Sequence, residues 1–199
     1  LTYLLMVQDL LEFVKKLDLK KISLIGHSMG GKVAMMFSLS NYNFVEHLII
    51  VDIAPVKYLL NEIEIVDHLL DIKLEHILSR KDAENKLEEK LNNKNLTLFL
   101  LQNLVNINNS YKWSINLNTL KNSMDNLRDF PIINVTNYKK PVLCIYGEKS
   151  NYITSENMLV FRKFFPQVNF YQIKNSGHWL HAEKPQEFVN KIVNYLISN

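Results

Sequence analysis

The segment Gly26–Gly30 has the pattern Gly-x-Ser-x-Gly, with Ser28 at its centre. An apolar run at residues 21–26 precedes it, and an Ala- and Met-rich segment at residues 32–39 follows. A strand, a sharp turn and a helix in that order would lift the serine above a sheet edge in a strained conformation. The Met29 N–H would then point to where an oxyanion forms, at the positive end of the helix. The pattern indicates a nucleophilic serine, and the alternative is a glycine-rich turn with an incidental serine.

A serine hydroxyl needs a base to take its proton, and the chain has six histidines as candidates. We predict His178 as the base because it follows the last predicted strand, comes after the serine in chain order and lies behind Gly177 in a tight loop. His181, three residues further on, is the alternative. His27 is expected to point elsewhere and to be structural, and it is also a candidate for the substrate pocket. The remaining histidines are interpreted as surface or packing residues: His47, His68 and His76.

The acid that would orient the imidazole is not where the pattern places it. A Gly-x-x-Asp pattern is expected after the next-to-last strand, but the chain has Ser150 in place of the aspartate. Asp52 is the better candidate, because an aspartate at the end of an otherwise apolar strand needs a partner. Glu148 is its rival. A third interpretation is that Asp52 only caps the following turn.

The elements that must position these residues follow from hydrophobic periodicity. Short apolar runs predict strands at 21–26, 47–53, 141–147 and 168–174. Helical spacing predicts helices at 3–17, 32–39, 155–165 and 185–197. The alternation predicts an α/β domain with a mostly parallel sheet flanked by helices, in which the ends of the strands meet at one edge.

The stretch 56–139 interrupts this alternation. It contains predicted helices at 61–72, 82–91, 96–105 and near 117–127. Ser79 and Asp82 form a helix start signal for the second of them. We interpret the stretch as a helical cap or lid inserted over one end of the sheet. The chain is therefore divided into a core at 1–55, the cap at 56–139 and a second core part at 140–199.

Composition excludes several classes of protein. The 199 residues are 47% hydrophobic and carry a formal net charge of +3, which fits one globular domain and argues against a nucleic-acid partner. Cys144 is the single cysteine, so an internal disulfide framework is excluded. No apolar run approaches the roughly 20 residues of a membrane span. Since no targeting peptide is visible, we predict a cytoplasmic location, or an organelle in a eukaryote.

These residues together resemble the α/β-hydrolase superfamily, and within it the bacterial esterases and the eukaryotic abhydrolase-domain proteins. Four segments carry the resemblance in order and spacing: Gly26–Lys32, Val51–Val56, Ser150–Ile153 and Gly177–Pro185. The insertion at 56–139 matches only loosely. It implies an α/β-hydrolase fold with a triad of Ser28, Asp52 and His178. It also implies that no acid is present at the position of Ser150.

Enzymes of this family begin with strands and an His-Gly loop that supplies a second oxyanion N–H. The chain begins at Leu1, within a predicted helix. From the resemblance we expect those first strands and the second donor to lie outside this chain. Met29 would then supply the oxyanion donor that is present.

The resemblance implies a serine esterase that hydrolyses short- to medium-chain acyl esters or thioesters through an acyl-enzyme, without metal or organic cofactor. The alternatives are a lactonase, a carbon–carbon bond hydrolase, or a non-catalytic α/β-hydrolase-like protein. The substrate pocket is expected to include His27, Phe99, Trp113 and Trp179. Further apolar residues of the insertion are expected beside them: Leu59, Leu100, Tyr111 and Leu120. The sequence leaves the oligomeric state open.

Overall fold

A computed structural model of the chain describes residues 1–58, 62–131 and 137–198, except for the side chains of residues 62 and 63. These residues form two compact units. The sheet unit comprises Thr2–Tyr58 and Asp129–Asn199, and the insertion unit comprises Leu59–Arg128 with Leu1. The three domain ranges expected from the sequence remain a prediction beside this division.

The strands of the described residues are, in chain order, β1 (Ile22–His27), β2 (Val45–Val51), β3 (Leu104–Ile107), β4 (Ser110–Trp113), β5 (Val142–Gly147) and β6 (Val168–Ile173). The α-helices are α1 (Tyr3–Lys16), α2 (Met29–Ser40), α3 (Glu62–Leu70), α4 (Arg80–Leu91), α5 (Lys94–Leu100), α6 (Leu117–Arg128), α7 (Ser155–Phe164), α8 (Leu180–Glu183) and α9 (Pro185–Ser198). Short 3-10 turns lie at Tyr42–Phe44, Leu74–His76 and Leu101–Asn103. Within these described ranges, the helices are too short or too polar to span a lipid bilayer.

The sheet unit is built on parallel strands in the order β1-β2-β5-β6. This confirms the α/β class and the parallel sheet predicted from the alternation of apolar runs and helices. Leu48–Val51 in β2 are at most 1% exposed, because β2 lies inside the sheet and the helices that connect parallel strands cover both of its faces. In β1, at the edge of this sheet, exposure alternates and Ile25 is 50% exposed.

The register brings the carboxyl ends of the strands to one edge. His27 at the end of β1 is paired with Val51 at the end of β2, and Gly147 at the end of β5 is paired with Ile173 at the end of β6. The segments that follow the four strands therefore begin side by side. In open parallel sheets, this is the edge at which ligands bind.

The insertion unit has its own apolar core. Ala83 and Leu87 of α4 are fully buried, and they pack with side chains of α3, α6 and the turn at Leu101–Asn103. The helix α4 begins as the sequence predicts, since the Ser79 hydroxyl accepts a hydrogen bond from the Asp82 N–H at 3.1 Å. The helices predicted near 61–72 and 117–127 are present as α3 and α6, although residue 61 lies outside the described residues.

The helix predicted over residues 96–105 is wrong at its carboxyl end. The helix α5 stops at Leu100, and the chain enters a β-hairpin in which β3 and β4 pair antiparallel. Asn108 and Asn109 form its two-residue turn with φ values of 52° and 62°. Two positive φ angles define the turn type whose twist matches a hairpin, and asparagine tolerates that conformation better than most residues.

Candidate active site

Ser28 lies in a sharp turn between β1 and α2, with φ 53° and ψ −123°. A positive φ is unfavourable for a residue with a side chain, so the surrounding structure must stabilise this conformation. The Ser28 N–H donates to the Val51 carbonyl at 3.1 Å, and the Ser28 carbonyl accepts from the Gly31 N–H at 2.9 Å. The hydroxyl makes no capping hydrogen bond to α2. The turn therefore orders the backbone of Ser28 while its side chain makes no cap to the helix.

Two glycines make this turn possible, Gly26 and Gly31, and only Gly26 belongs to the Gly-x-Ser-x-Gly pattern. A Cβ added at Gly26 would lie 2.4 Å from the Gly30 carbonyl oxygen. A Cβ at Gly31 would lie 2.4 Å from the Ile53 Cγ2 atom and 2.9 Å from the Gly26 oxygen. A Cβ at Gly30 would meet no described atom within 4 Å. Gly26 and Gly31 therefore have a steric requirement for glycine, and Gly30 has none.

Asp52 lies one residue beyond β2, in a left-handed conformation with φ 52°, rather than within the strand as the range 47–53 predicted. Its side chain is fully buried. The Oδ1 atom accepts from the Gly147 N–H at 3.2 Å, and the Oδ2 atom accepts from the Ser150 hydroxyl at 2.5 Å. Oδ2 also accepts from His178 Nδ1 at 2.7 Å. These three donors come from the last residue of β5 and from the segments that follow β5 and β6, so the carboxylate connects the ends of three strands.

His178 lies in the loop between β6 and α8, and its side chain is 18% exposed. The Gly177 N–H donates to Glu183 Oε2 at 3.0 Å, and the Ser176 hydroxyl donates to the Ile173 carbonyl at 2.9 Å. A Cβ added at Gly147 would lie only 2.2 Å from the Gly177 oxygen. A glycine at the end of β5 thus lets the histidine loop approach Asp52.

The structure brings Asp52 and His178 together, whereas Glu148 and His181 make other contacts. Glu148 is exposed, and its Oε2 atom accepts from the Asn175 N–H at 2.8 Å. This hydrogen bond stabilises the loop after β6 at the protein surface. His181 packs its ring against His27 at 4.8 Å between centroids. Among the described residues, the buried Nδ1 atom of His181 has no hydrogen-bond partner.

His27 is the link between the serine turn and the histidine loop. Its Nε2 atom lies 2.9 Å from the His178 carbonyl oxygen, which can only accept, so Nε2 carries the proton. Its ring also lies 4.5 Å from the His178 ring and 5.4 Å from the Trp179 ring. Burial, followed by the charge of protonated His178, lowers the pKa of His27 to about 4. Burial and His178 likewise lower the pKa of His181.

Several residues at this edge were not found from the sequence. Ser150 was considered only as a position without an acid, although its hydroxyl donates to the Asp52 carboxylate. The Tyr152 ring stacks on His178 with 4.2 Å between centroids, and the Tyr58 hydroxyl contacts the backbone of Ala54 and of Tyr152. Lys32, only 2% exposed, donates to the Asp129 carbonyl at 2.8 Å. A tyrosine two residues after the expected acid is a pattern visible in the sequence, whereas the contacts of Lys32 depend on the fold.

The other predicted pocket residues lie in different units. The half-buried Trp179 ring packs against His178 and His181, at 5.5 and 5.9 Å between centroids. Phe99 lies on α5 and is 42% exposed, and Trp113 ends β4 and packs on the core of the insertion unit. Their place in a substrate pocket stays a prediction. Leu59 lies outside the described residues.

Within the described part of the chain, no group of three or more metal-ligating side chains is present.

A parallel sheet with a strained serine between a strand and a helix at its carboxyl edge defines the class of the α/β hydrolases. The sequence matches the α/β-hydrolase fold over residues 2–185, so the chain belongs to the α/β-hydrolase family. It is 33% identical to a marine microorganism esterase of known structure, with a TM-score of 0.94 over 98% of this chain and 77% of that one.

Curated relatives include lipases and esterases. The chain is 35% identical over 202 residues to the sn-1-specific diacylglycerol lipase ABHD11 of Danio rerio, covering 98% of this chain and 63% of that protein. It is 29% identical to the esterase YbfF of Escherichia coli K12, covering 98% of this chain and 75% of that protein. The chain thus spans less than two thirds of the length of the first of these relatives.

Proposed function

We propose that the protein is a serine esterase that hydrolyses short- to medium-chain acyl esters through an acyl-enzyme. The observation that supports this most directly is the 2.7 Å contact between His178 Nδ1 and the buried Asp52 carboxylate. It lies at the sheet edge that also bears the strained turn of Ser28. A hydroxyl, an imidazole and a carboxylate in that order form the constellation used for acyl transfer.

Ser28 is the proposed nucleophile. Its Oγ attacks the ester carbonyl while His178 Nε2 takes the hydroxyl proton. The tetrahedral intermediate collapses with loss of the alcohol, which receives that proton from Nε2, and Ser28 remains acylated. Water then attacks the acyl group with His178 as base again, and the acid is released. The contact of His27, the neighbour of Ser28, with the His178 carbonyl supports this pairing.

Asp52 is the proposed orienting acid. It accepts the Nδ1 proton of His178, which leaves Nε2 directed away from the carboxylate and favours the charged imidazolium that forms during the reaction. His27 and His181 lie beside His178, and burial lowers the pKa of both.

Met29 N–H is the proposed oxyanion donor. It is the first N–H of α2, and the first N–H groups of a helix have no partner within the helix. The helix dipole also favours negative charge at this end. A preorganised donor at this position stabilises the oxyanion of the tetrahedral intermediate more than the uncharged ester carbonyl.

An ester substrate is supported by the relatives, which include an esterase and a diacylglycerol lipase. The size of the acyl group is the finer part of the proposal. We expect p-nitrophenyl esters of four to eight carbons to be hydrolysed faster than longer ones. Diacylglycerol, a thioester and a lactone of matched size are the comparison substrates. Faster hydrolysis of one of them would assign the specificity to that substrate class instead.

The nucleophile is tested with a fluorophosphonate probe and with the Ser28→Ala variant. We expect wild type to be labelled at one site, and Ser28→Ala to be neither labelled nor active. The Ser110→Ala variant, which changes an exposed serine of β4, should behave as wild type. An unreactive wild type would overturn the proposed activity, and ester hydrolysis by purified Ser28→Ala would overturn the assignment of the nucleophile.

A further inference from the structure

One tyrosine hydroxyl joins the two loops that hold the acid. Tyr58 is 9% exposed, and its hydroxyl accepts from the Ala54 N–H at 2.8 Å. The same hydroxyl donates to the Tyr152 carbonyl at 2.7 Å. Ala54 is two residues beyond Asp52, and Tyr152 is two residues beyond Ser150. The hydroxyl therefore links the segment after β2 to the segment after β5. The Asp52–Ser150 hydrogen bond links the same two segments nearer to the strands.

The ring of Tyr152 continues this link to the histidine. It stacks on the His178 ring with 4.2 Å between centroids and 23° between planes. The Tyr152 backbone is held at both ends, because its N–H donates to Ser150 Oγ at 3.2 Å and its carbonyl also accepts from Asn157 Nδ2 at 3.0 Å. A backbone fixed in this way gives the stacked ring a defined position.

The environment of Tyr58 favours this arrangement. Its ring lies 5.1 Å from the Tyr152 ring, and the Lys32 Nζ atom lies 5.0 Å from its centroid. A cation near an aromatic face is attracted by the ring. Burial raises the pKa of Tyr58, so that its hydroxyl remains a hydrogen-bond donor. Contacts to the ring as well as hydrogen bonds to the hydroxyl therefore fix the position of the Tyr58 side chain.

We propose that Tyr58 and Tyr152 are positioning residues for His178: the Tyr58 hydroxyl holds the Tyr152 backbone, and the Tyr152 ring holds the imidazole in the plane from which Nδ1 reaches Asp52. The proposal rests on the proposed esterase function of that histidine. A hydrogen bond to Asp52 alone leaves the imidazole free to rock about the bond. A ring against its face restricts that motion, and small displacements of a base reduce turnover strongly.

The first test removes only the hydroxyl, in the Tyr58→Phe variant. We expect kcat for a short p-nitrophenyl ester to fall about 10-fold while KM changes by less than about twofold, because a positioning defect acts on chemistry rather than on binding. The fluorophosphonate labelling rate should slow by a similar factor, with the same final labelled fraction as wild type. The matched control is Tyr171→Phe, which removes a tyrosine hydroxyl bonded to Glu187 on the surface and should leave all of these values unchanged.

The second test concerns the ring. Tyr152→Phe keeps the ring and the backbone contacts, whereas Tyr152→Leu removes the stacking partner of His178. We expect the Leu variant to be about 10-fold slower than the Phe variant in kcat. This comparison remains informative if Tyr58→Phe does not fold, and the Phe variant serves as the conservative rescue.

A third readout separates positioning from general loss of structure. An ethyl ester needs a proton from His178 to release its alcohol, whereas p-nitrophenolate leaves without one. Tyr58→Phe and Tyr152→Leu should therefore lose more turnover on the ethyl ester than on the p-nitrophenyl ester of the same acid. A smaller labelled fraction with an unchanged labelling rate would mean fewer folded molecules and would overturn the proposal.

Two other results decide the outcome. Wild-type kinetics of Tyr58→Phe on both esters, or equal rates of Tyr152→Leu and Tyr152→Phe, would overturn the positioning role while Ser28→Ala remained inactive. An unreactive wild type would instead overturn the esterase function on which the proposal rests, and an active Ser28→Ala would overturn the assignment of its nucleophile. The two failures are therefore distinguishable in one set of measurements.

Discussion

The hydroxyl of Ser150 donates a hydrogen bond to the same Asp52 oxygen that accepts from His178 Nδ1. Ser150 stands where the sequence pattern leads one to expect the acid, and Asp52 reaches that place from the end of β2 instead. The residue at the expected position after β5, Ser150, thus contacts the carboxylate as a hydrogen-bond donor instead of supplying it. A buried carboxylate requires such donors, because an unpaired charge without water is strongly unfavourable.

The Ser150→Ala variant should weaken this arrangement without abolishing it. Asp52 would keep the Gly147 N–H and His178 as donors, while one oxygen would lose a partner. We expect kcat to fall about 10-fold and the free energy of unfolding to fall by about 1.5 to 3 kcal/mol, the usual worth of a hydrogen bond to a charged group. Ser38→Ala, which removes a buried hydroxyl bonded to the Met35 carbonyl, is the control and should leave kcat unchanged. Equal kcat values for the two variants would contradict the contact.

Replacing the acid itself should have a far larger effect than replacing its rival. In Asp52→Asn the amide cannot stabilise the imidazolium, and we expect kcat to fall about 10³- to 10⁴-fold. Glu148→Gln changes an exposed residue that contacts the Asn175 N–H, and kcat should stay within about twofold of wild type. The measurement is the initial rate of ester hydrolysis by both variants. A severe loss in Glu148→Gln with an active Asp52→Asn would move the acid to Glu148.

The glycines of the serine turn should differ sharply in their tolerance of alanine. Gly26→Ala and Gly31→Ala place a Cβ within 2.4 Å of another atom, and we expect each to lower the free energy of unfolding by about 1 to 3 kcal/mol or to prevent folding. Gly30→Ala has open space and lies in α2, where alanine is favoured by up to about 1 kcal/mol. Urea unfolding curves of the three variants test this. Equal destabilisation in all three would refute the steric account.

The stability of the protein should depend on the protonation of His27 below neutral pH. Burial lowers its pKa to about 4 in the folded chain from the ordinary value of 6.5, so between these values the unfolded chain binds a proton that the folded chain does not. The free energy of unfolding should therefore rise with pH across this window, by at most about 1.4 kcal/mol per pH unit and by less for a partly exposed group. In His27→Gln that dependence should become shallower, although His181 retains a contribution of the same sign.

The experiment for His27 is urea unfolding at several pH values between 4.5 and 7.5. His76→Gln is the control, since His76 is exposed and an exposed imidazole keeps its water on folding. We expect this control to retain the wild-type slope. An unchanged slope in His27→Gln would show that the buried imidazole does not contribute to acid destabilisation.

Much of the fold was predictable because its determinants are local. Buried parallel strands such as β2 are continuous apolar runs, and the order strand, glycine-rich turn, helix identifies the turn of Ser28. The hairpin at β3 and β4 was missed because its turn uses two asparagines rather than the common Asn-Gly pair. The requirement for glycine at 31 rather than 30 was also missed, since it depends on the side chain of Ile53 from another segment.

The sequence by itself determined which residue types could act and that the chain is an α/β hydrolase, because those patterns are short and each lies on one element. Only the tertiary structure decided which carboxylate faces the histidine, since Asp52 and His178 are 126 residues apart and meet through the strand order β1-β2-β5-β6. The same holds for Tyr58 and Tyr152, whose contact joins the segments that follow β2 and β5. Contacts of this kind depend on register and burial, which periodicity along the chain does not specify.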